Sequence, residues 1–171
     1  MQSNSIHLIN ICIHSRSVII LNKTCCFAGH SEIYPIEEIY DKLTEVIEKL
    51  IITENIKDFM VGNYGNFDKL SAKAVRKLKE KYPDIRLSLV VPYLTKEINE
   101  YKEMYHKKYD CILMADICEK TPKNLQIIKC NEYMVKKLDC IICYVNHSYG
   151  GAAKTLEFAE KQKNIRIFNM K

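Results

Sequence analysis

All five glycines of this 171-residue chain sit just past short apolar runs that read as β-strands. Gly29 follows 24-TCCF-27, Gly62 and Gly65 follow 58-DFMV-61, and Gly150 and Gly151 follow 139-DCIICYV-145. Globular proteins usually carry about 7% glycine, so the share here is about half the ordinary one. Glycine is required where the backbone takes positive φ or approaches a ligand closely. In an open α/β sheet, ligands bind outside the carboxyl ends of the strands. A chain so sparing with glycine that keeps all of it at three strand ends is expected to build one pocket there. Ordinary tight turns are the alternative. Polar residues in the same loops favour the pocket: His30, Asn63, Asn66, Asp68, Asn146, His147 and Ser148.

Between these loops, strand-like and helix-like patterns alternate. A strand ending at Phe27, starting as early as Val18, leads to a helix from about Pro35 to Ile52. That helix carries Ile36, Ile39, Tyr40, Leu43, Val46, Ile47 and Leu50 at helical spacing. A strand ending at Val61, a helix from Phe67 to Lys81 and the strand 86-RLSLVV-91 follow. Then come a helix over 95–109, a short strand over 110–114, a loop over 115–122 and a helix from Lys123 to Leu138. The strand over 139–145, a helix from Gly151 to Lys163 and the strand 165-IRIFN-169 complete the pattern. Alternation of this kind predicts a Rossmann-like α/β fold: a mainly parallel sheet of about six strands, covered by helices on both faces. Residues 1–21 fit no clear pattern and read as an extension or an extra strand, with the domain proper over 22–171.

Hydrophobic content of 47% and charged content of 27% suit a globular protein. No apolar run approaches the ~18 residues of a membrane span, and no secretory signal is visible. No membrane partner is therefore expected, and the cytoplasm is the expected location. The net charge is +5, but the lysines are scattered among glutamates, as in 160-EKQK-163, rather than gathered in a stripe. On that ground nucleic acid is not an expected partner. Of the eight cysteines, Cys25 and Cys26 are adjacent in one strand, and Cys140 and Cys143 are three apart in another. In both pairs the side chains should point to opposite faces. Buried thiols, rather than disulfides or a metal site, are the expectation. Cys118 and Cys130 lie in less regular stretches and are the candidates for exposure. No cofactor and no metal are expected, and self-association is left open.

The loop 146-NHSYGGAAKT-155 is the strongest chemical signal. Two glycines at a helix start leave backbone N–H groups free for a phosphate or carboxylate, and Lys154 and Thr155 could add a charge and a hydroxyl. The spacing is neither that of a Walker loop nor that of a dinucleotide fingerprint. His30, at the end of the first strand, reads equally as a ligand or proton-transfer group and as a structural hydrogen-bonder. Asp68 reads as a helix cap or as a ribose-binding carboxylate. Asn131 and Met134 share one helix face, which could meet a ligand or the core.

Taken together, 25-CCFAGH-30, 62-GNYGNFD-68, 77-KLKEKYPDIRLSLVVPY-93, 131-NEYM-134 and 144-YVNHSYGGAAKTLEFAEK-161 resemble the YpsA-like branch of the SLOG superfamily. That superfamily groups DprA-type DNA-processing proteins with LOG-type nucleoside-monophosphate phosphoribohydrolases. The resemblance runs from about residue 22 to the C-terminus. It implies a Rossmann-like sheet with a pocket for a nucleotide or nucleotide-derived molecule. The implied pocket is Gly29, His30, Gly62, Asn63, Phe67, Asp68, Asn131, Met134, His147, Gly150, Gly151, Lys154 and Thr155. The chain departs from the family pattern at three points. Ser31 stands for an arginine, Asn63 for a glycine and Cys130 for an arginine, so two bidentate phosphate-binding groups are missing. In the LOG enzymes a catalytic glutamate follows the double glycine, and Glu157 stands at that spacing from Gly150 and Gly151. Counted from Thr155 instead, Glu157 falls one residue early.

Three readings follow. The first is a module that binds or senses a nucleotide-derived ligand. The second is an N-glycosidase of nucleoside 5′-monophosphates, with Glu157 or Asp68 as its carboxylate. The third is a protein-interaction or nucleic-acid-associated module.

Overall fold

Cys25 and Cys26 lie side by side in the first strand, yet each belongs to a different core. The computed structural model describes residues 22–171. In it, Cys25 packs with Phe27, Phe59, Val61 and Leu89 on one face of the sheet. Cys26 packs with Ala28, Met60, Val90 and Ile141 on the other. Cys140 and Cys143 divide between the two faces in the same way. Period-two alternation on a strand buried on both sides dictates this arrangement.

The strands are β1 (Lys23–Gly29), β2 (Ile56–Val61), β3 (Arg86–Val91), β4 (Cys111–Met114), β5 (Cys140–Tyr144) and β6 (Arg166–Asn169). The helices are α1 (Ile36–Glu54), α2 (Asn66–Lys79), α3 (Lys96–Glu100), α4 (Lys102–Lys108), α5 (Lys123–Val135) and α6 (Gly150–Glu160). All five strand pairs are parallel, in the order β4-β3-β2-β1-β5-β6. The expected Rossmann-like architecture is therefore present. The chain works outward from β1 to β4, then crosses back to place β5 on the other side of β1. That reversal makes the β1/β5 boundary the topological switch point, where such sheets open a crevice at their carboxyl ends.

Two details depart from the sequence reading. The helix expected over 95–109 is two short helices, because Tyr101 leaves helical geometry at φ −109°, ψ 35°. The break lets Ile98 and Tyr105 both reach the core while Tyr101 stays exposed. Cys130, expected among the exposed thiols, is buried within α5, whereas Cys118 is exposed. A start of β1 near Val18, and the extension assigned to residues 1–21, lie outside the described residues.

Candidate functional site

The carboxyl end of β1 is shaped by Gly29. A Cβ there would overlap the Phe67 ring, and Phe67 is itself fully buried and stacked on Tyr144. This close packing sets α2 against β1 and opens a cleft of about 570 Å³ at the switch point. That volume falls within the ~300–1,000 Å³ of small-molecule sites. Gly29, His30, Ser31 and Glu32 form its floor, and Tyr64, Gly65 and Asp68 one wall. Asn124, Ile127, Ile128 and Asn131 of α5 form another, and His147, Tyr149 and the first residues of α6 close it.

Three rings stack along one side. The His30 and His147 centroids are 3.4 Å apart and nearly parallel, and Tyr149 lies 3.8 Å beyond His147. His30 Nε2 accepts the Asn146 N–H at 3.2 Å, so a neutral ring carries its proton on Nδ1. Burial lowers the His30 pKa, and neighbouring His147 lowers it further. His147 Nδ1 is buried and has no hydrogen-bond partner among the described residues. Tyr149 is 71% exposed.

Across the cleft, Asp68 Oδ2 accepts the Tyr64 N–H at 3.1 Å. Burial pushes this carboxyl up to about 6, against the pull of the Tyr64 and Gly65 N–H groups. Gly62 keeps room for it, since a Cβ there would come within 2.9 Å of Asp68 Oδ2. Asn131 donates to Thr155 Oγ1 at 3.1 Å, and Thr155 donates to the Gly151 carbonyl at 2.8 Å. This chain ties α5 to the first turn of α6. Gly150 has φ +90°, a left-handed conformation that favours glycine, and no side chain caps α6.

Of the residues singled out from sequence, Gly29, His30, Asp68, Asn131, His147, Gly150 and Gly151 line the cleft together. Phe67 and Met134 lie beneath it, wholly in the core, while Gly62 and Thr155 act as buried supports. Asn63 sits near Tyr105 instead, and Lys154 is exposed outside the cleft. Nor does the structure bring Glu157 to the cleft. Its carboxylate pairs with Lys161 at 2.6 Å on the exposed side of α6. Tyr64, Tyr149 and the α5 residues Asn124, Ile127 and Ile128 were not singled out. Both tyrosines stand beside glycines of the chosen loops, a signal that could have found them.

Comparison with known proteins agrees with the Rossmann-like fold. The YpsA family, described as the YspA SLOG family, matches residues 30–170. The chain belongs to this family. It is 29% identical over 128 residues to a UPF0398 protein of Halalkalibacterium halodurans, covering 71% of this chain and 67% of that one. It is 27% identical over 141 residues to the uncharacterised SPbeta prophage-derived protein YoqJ of Bacillus subtilis, covering 72% and 81%. Among solved structures, DprA of Streptococcus pneumoniae superposes with a TM-score of 0.60 at 13% identity. The match covers 82% of this chain but only 47% of that longer one. DprA of Helicobacter pylori gives 0.60 at 12% identity, covering 87% and 66%. At these identities the likeness to DprA is one of fold.

One expectation needs correction. Scattered charge sets nucleic acid aside as a partner in the sequence reading, but the Helicobacter DprA, a neighbour in fold, has a single-stranded DNA binding mode. Lysine spacing alone is therefore no ground for that exclusion. Among the described residues, no helix is long and apolar enough to cross a membrane.

Proposed function

We propose that the cleft binds a nucleotide or nucleotide-derived ligand. One observation carries the reading: His147 Nδ1 is buried without a partner among the described residues, in a ring stack beside the uncapped start of α6. A buried polar atom left unpaired costs about 1–3 kcal/mol, a cost that a bound ligand's donor or acceptor removes. The stack offers aromatic surface to a base, and the α6 N–H groups offer donors. Membership of the SLOG family and the DprA fold support a nucleotide-related role. The test is isothermal titration of the full chain with nucleosides, nucleotides and short single-stranded oligonucleotides, repeated with Gly151→Val. A Cβ at position 151 meets nothing within 4 Å, so this variant should fold and lose binding. Absence of binding across the panel, by protein shown to be folded, would refute the proposal.

The elevated Asp68 carboxyl favours a second reading, cleavage of an N-glycosidic bond. A carboxyl near 6 is suited to general acid–base work at neutral pH. Chromatography of each bound ligand after incubation decides this. Free base that appears with the parent and not with Asp68→Asn supports turnover, and intact ligand in both supports binding alone.

A further inference from the structure

Among the described residues, those that line the cleft include no lysine and no arginine, but two carboxylates, Glu32 and Asp68. Two basic residues near the cleft helices are paired elsewhere: Lys129 with Glu132 at 2.7 Å and Lys161 with Glu157 at 2.6 Å. Lys154 lies outside the lining. Three helices, α2, α5 and α6, bring their first turns to the cleft. Asp68 stands in the first turn of α2, so that end already has its anion. The starts of α5 and α6 have no acidic residue in the first turn and no capping side chain. Each presents about half a positive charge, set against two full carboxylate charges in the same cleft. A 5′-phosphate, with up to about two negative charges, gains those two helix ends and meets like charge across the space.

The same walls suit the rest of a nucleoside. The exposed face of Tyr149 extends the His30–His147–Tyr149 stack by one more ring, and base–aromatic stacking is worth about 1–3 kcal/mol. An ionised Asp68 accepts from vicinal hydroxyls, as acidic residues do for ribose in dinucleotide folds. Asn131 commits one N–H to Thr155 and keeps a carbonyl oxygen and a second N–H for a ligand.

We infer that this cleft selects an uncharged ribonucleoside over its 5′-monophosphate. The inference rests on the cleft being the ligand site, as proposed above, and narrows its ligand by charge. Titration of the full chain near neutral pH with the common ribonucleosides and their 5′-monophosphates tests it. The nucleoside that binds should do so about tenfold more tightly than its monophosphate. Ser31→Arg places a cation in the lining at an exposed position. It should strengthen monophosphate binding about tenfold relative to the nucleoside and so close the gap between the two ligands. Asp68→Asn, which keeps the shape and removes a charge, should narrow the gap between the two ligands. A monophosphate that binds the parent as tightly as its nucleoside overturns the inference and leaves the cleft standing as a ligand site. A gap unmoved in both variants overturns it too. Silence from every nucleoside and monophosphate, with the protein folded, overturns this inference together with the reading it rests on.

Discussion

Gly29 and Gly151 look alike in the sequence and do opposite work. At position 29 an added Cβ overlaps the Phe67 ring, whereas at 151 it projects into open space. Overpacking of a tight core costs about 1–3 kcal/mol. Gly29→Ala should therefore lower the melting temperature clearly, while Gly151→Ala should leave it nearly unchanged and weaken ligand binding. Thermal melts of the two variants, with and without ligand, check both halves. Asp68 makes a second prediction. Its folded-state value near 6 lies above the unfolded value of about 3.9, so ionisation costs stability. The contribution is whole below about pH 4 and is lost as pH rises through about 6. Asn at this position still accepts the Tyr64 N–H without a buried charge. Asp68→Asn should be more stable than the parent by ~1–2 kcal/mol near pH 7.5, with the difference closing toward pH 4. His30 titrates with the opposite sign: its pKa is lowered, so its stability is lost as pH falls. Only the difference between variant and parent isolates Asp68, and denaturant melts across that range measure it. Residue identities in the cleft were largely legible because glycines and polar residues cluster at the strand ends that border it. Roles were less so. Met134 shares helical spacing with the cleft-lining Asn131 and Phe67 is the immediate neighbour of Asp68, and sequence position alone does not say which side of a helix end meets the core.

The starts of α3 and α6 contrast. Thr95 caps α3, with its hydroxyl accepting the Ile98 N–H at 3.2 Å, and this helix lies away from the cleft. The α6 helix begins at the cleft with Tyr149 in the N-cap place, extended at φ −121°, ψ 163°, and makes no side-chain cap. An N-cap Asp is worth about 1 kcal/mol over a residue that cannot cap, and its charge suits the helix dipole. Tyr149→Asp should therefore raise stability by ~1 kcal/mol, less whatever the ring stack with His147 contributes. It should also abolish ligand binding, because it occupies the free N–H groups and removes the outer ring. Chemical denaturation and titration on the same preparation check the trade. A variant that is less stable and still binds would show that α6 has no free donors to give. At this scale the strands and long helices could be read from period-two and 3.6-residue patterning. The split of 95–109 could not, because Ile98, Tyr101 and Tyr105 keep helical spacing across the break. Only packing against the sheet decides that Tyr101 turns outward.

The order β4-β3-β2-β1-β5-β6 joins two halves of the sheet at one seam. The alternation of strands and helices gave the layers, but the seam depends on which side of β1 receives β5, and no local pattern records that choice. The seam has a mechanical consequence. The cleft walls come from β1, α2, α5 and α6, elements from both sides of the reversal. A bound ligand therefore links parts of the chain that are far apart in sequence and stabilises the folded molecule as a whole. At ~100 times its dissociation constant, a ligand adds about 2.7 kcal/mol, which for a domain of this size raises the melting temperature by about 5–10 °C. Protection should also have a shape. Amide hydrogen exchange should slow at the carboxyl ends of β1 and β5 and in the first turn of α6. It should stay the same in α3 and α4, which contribute nothing to the lining. Slowing centred on α3 and α4, with the β1 and β5 ends unchanged, would move the ligand site away from the switch point altogether.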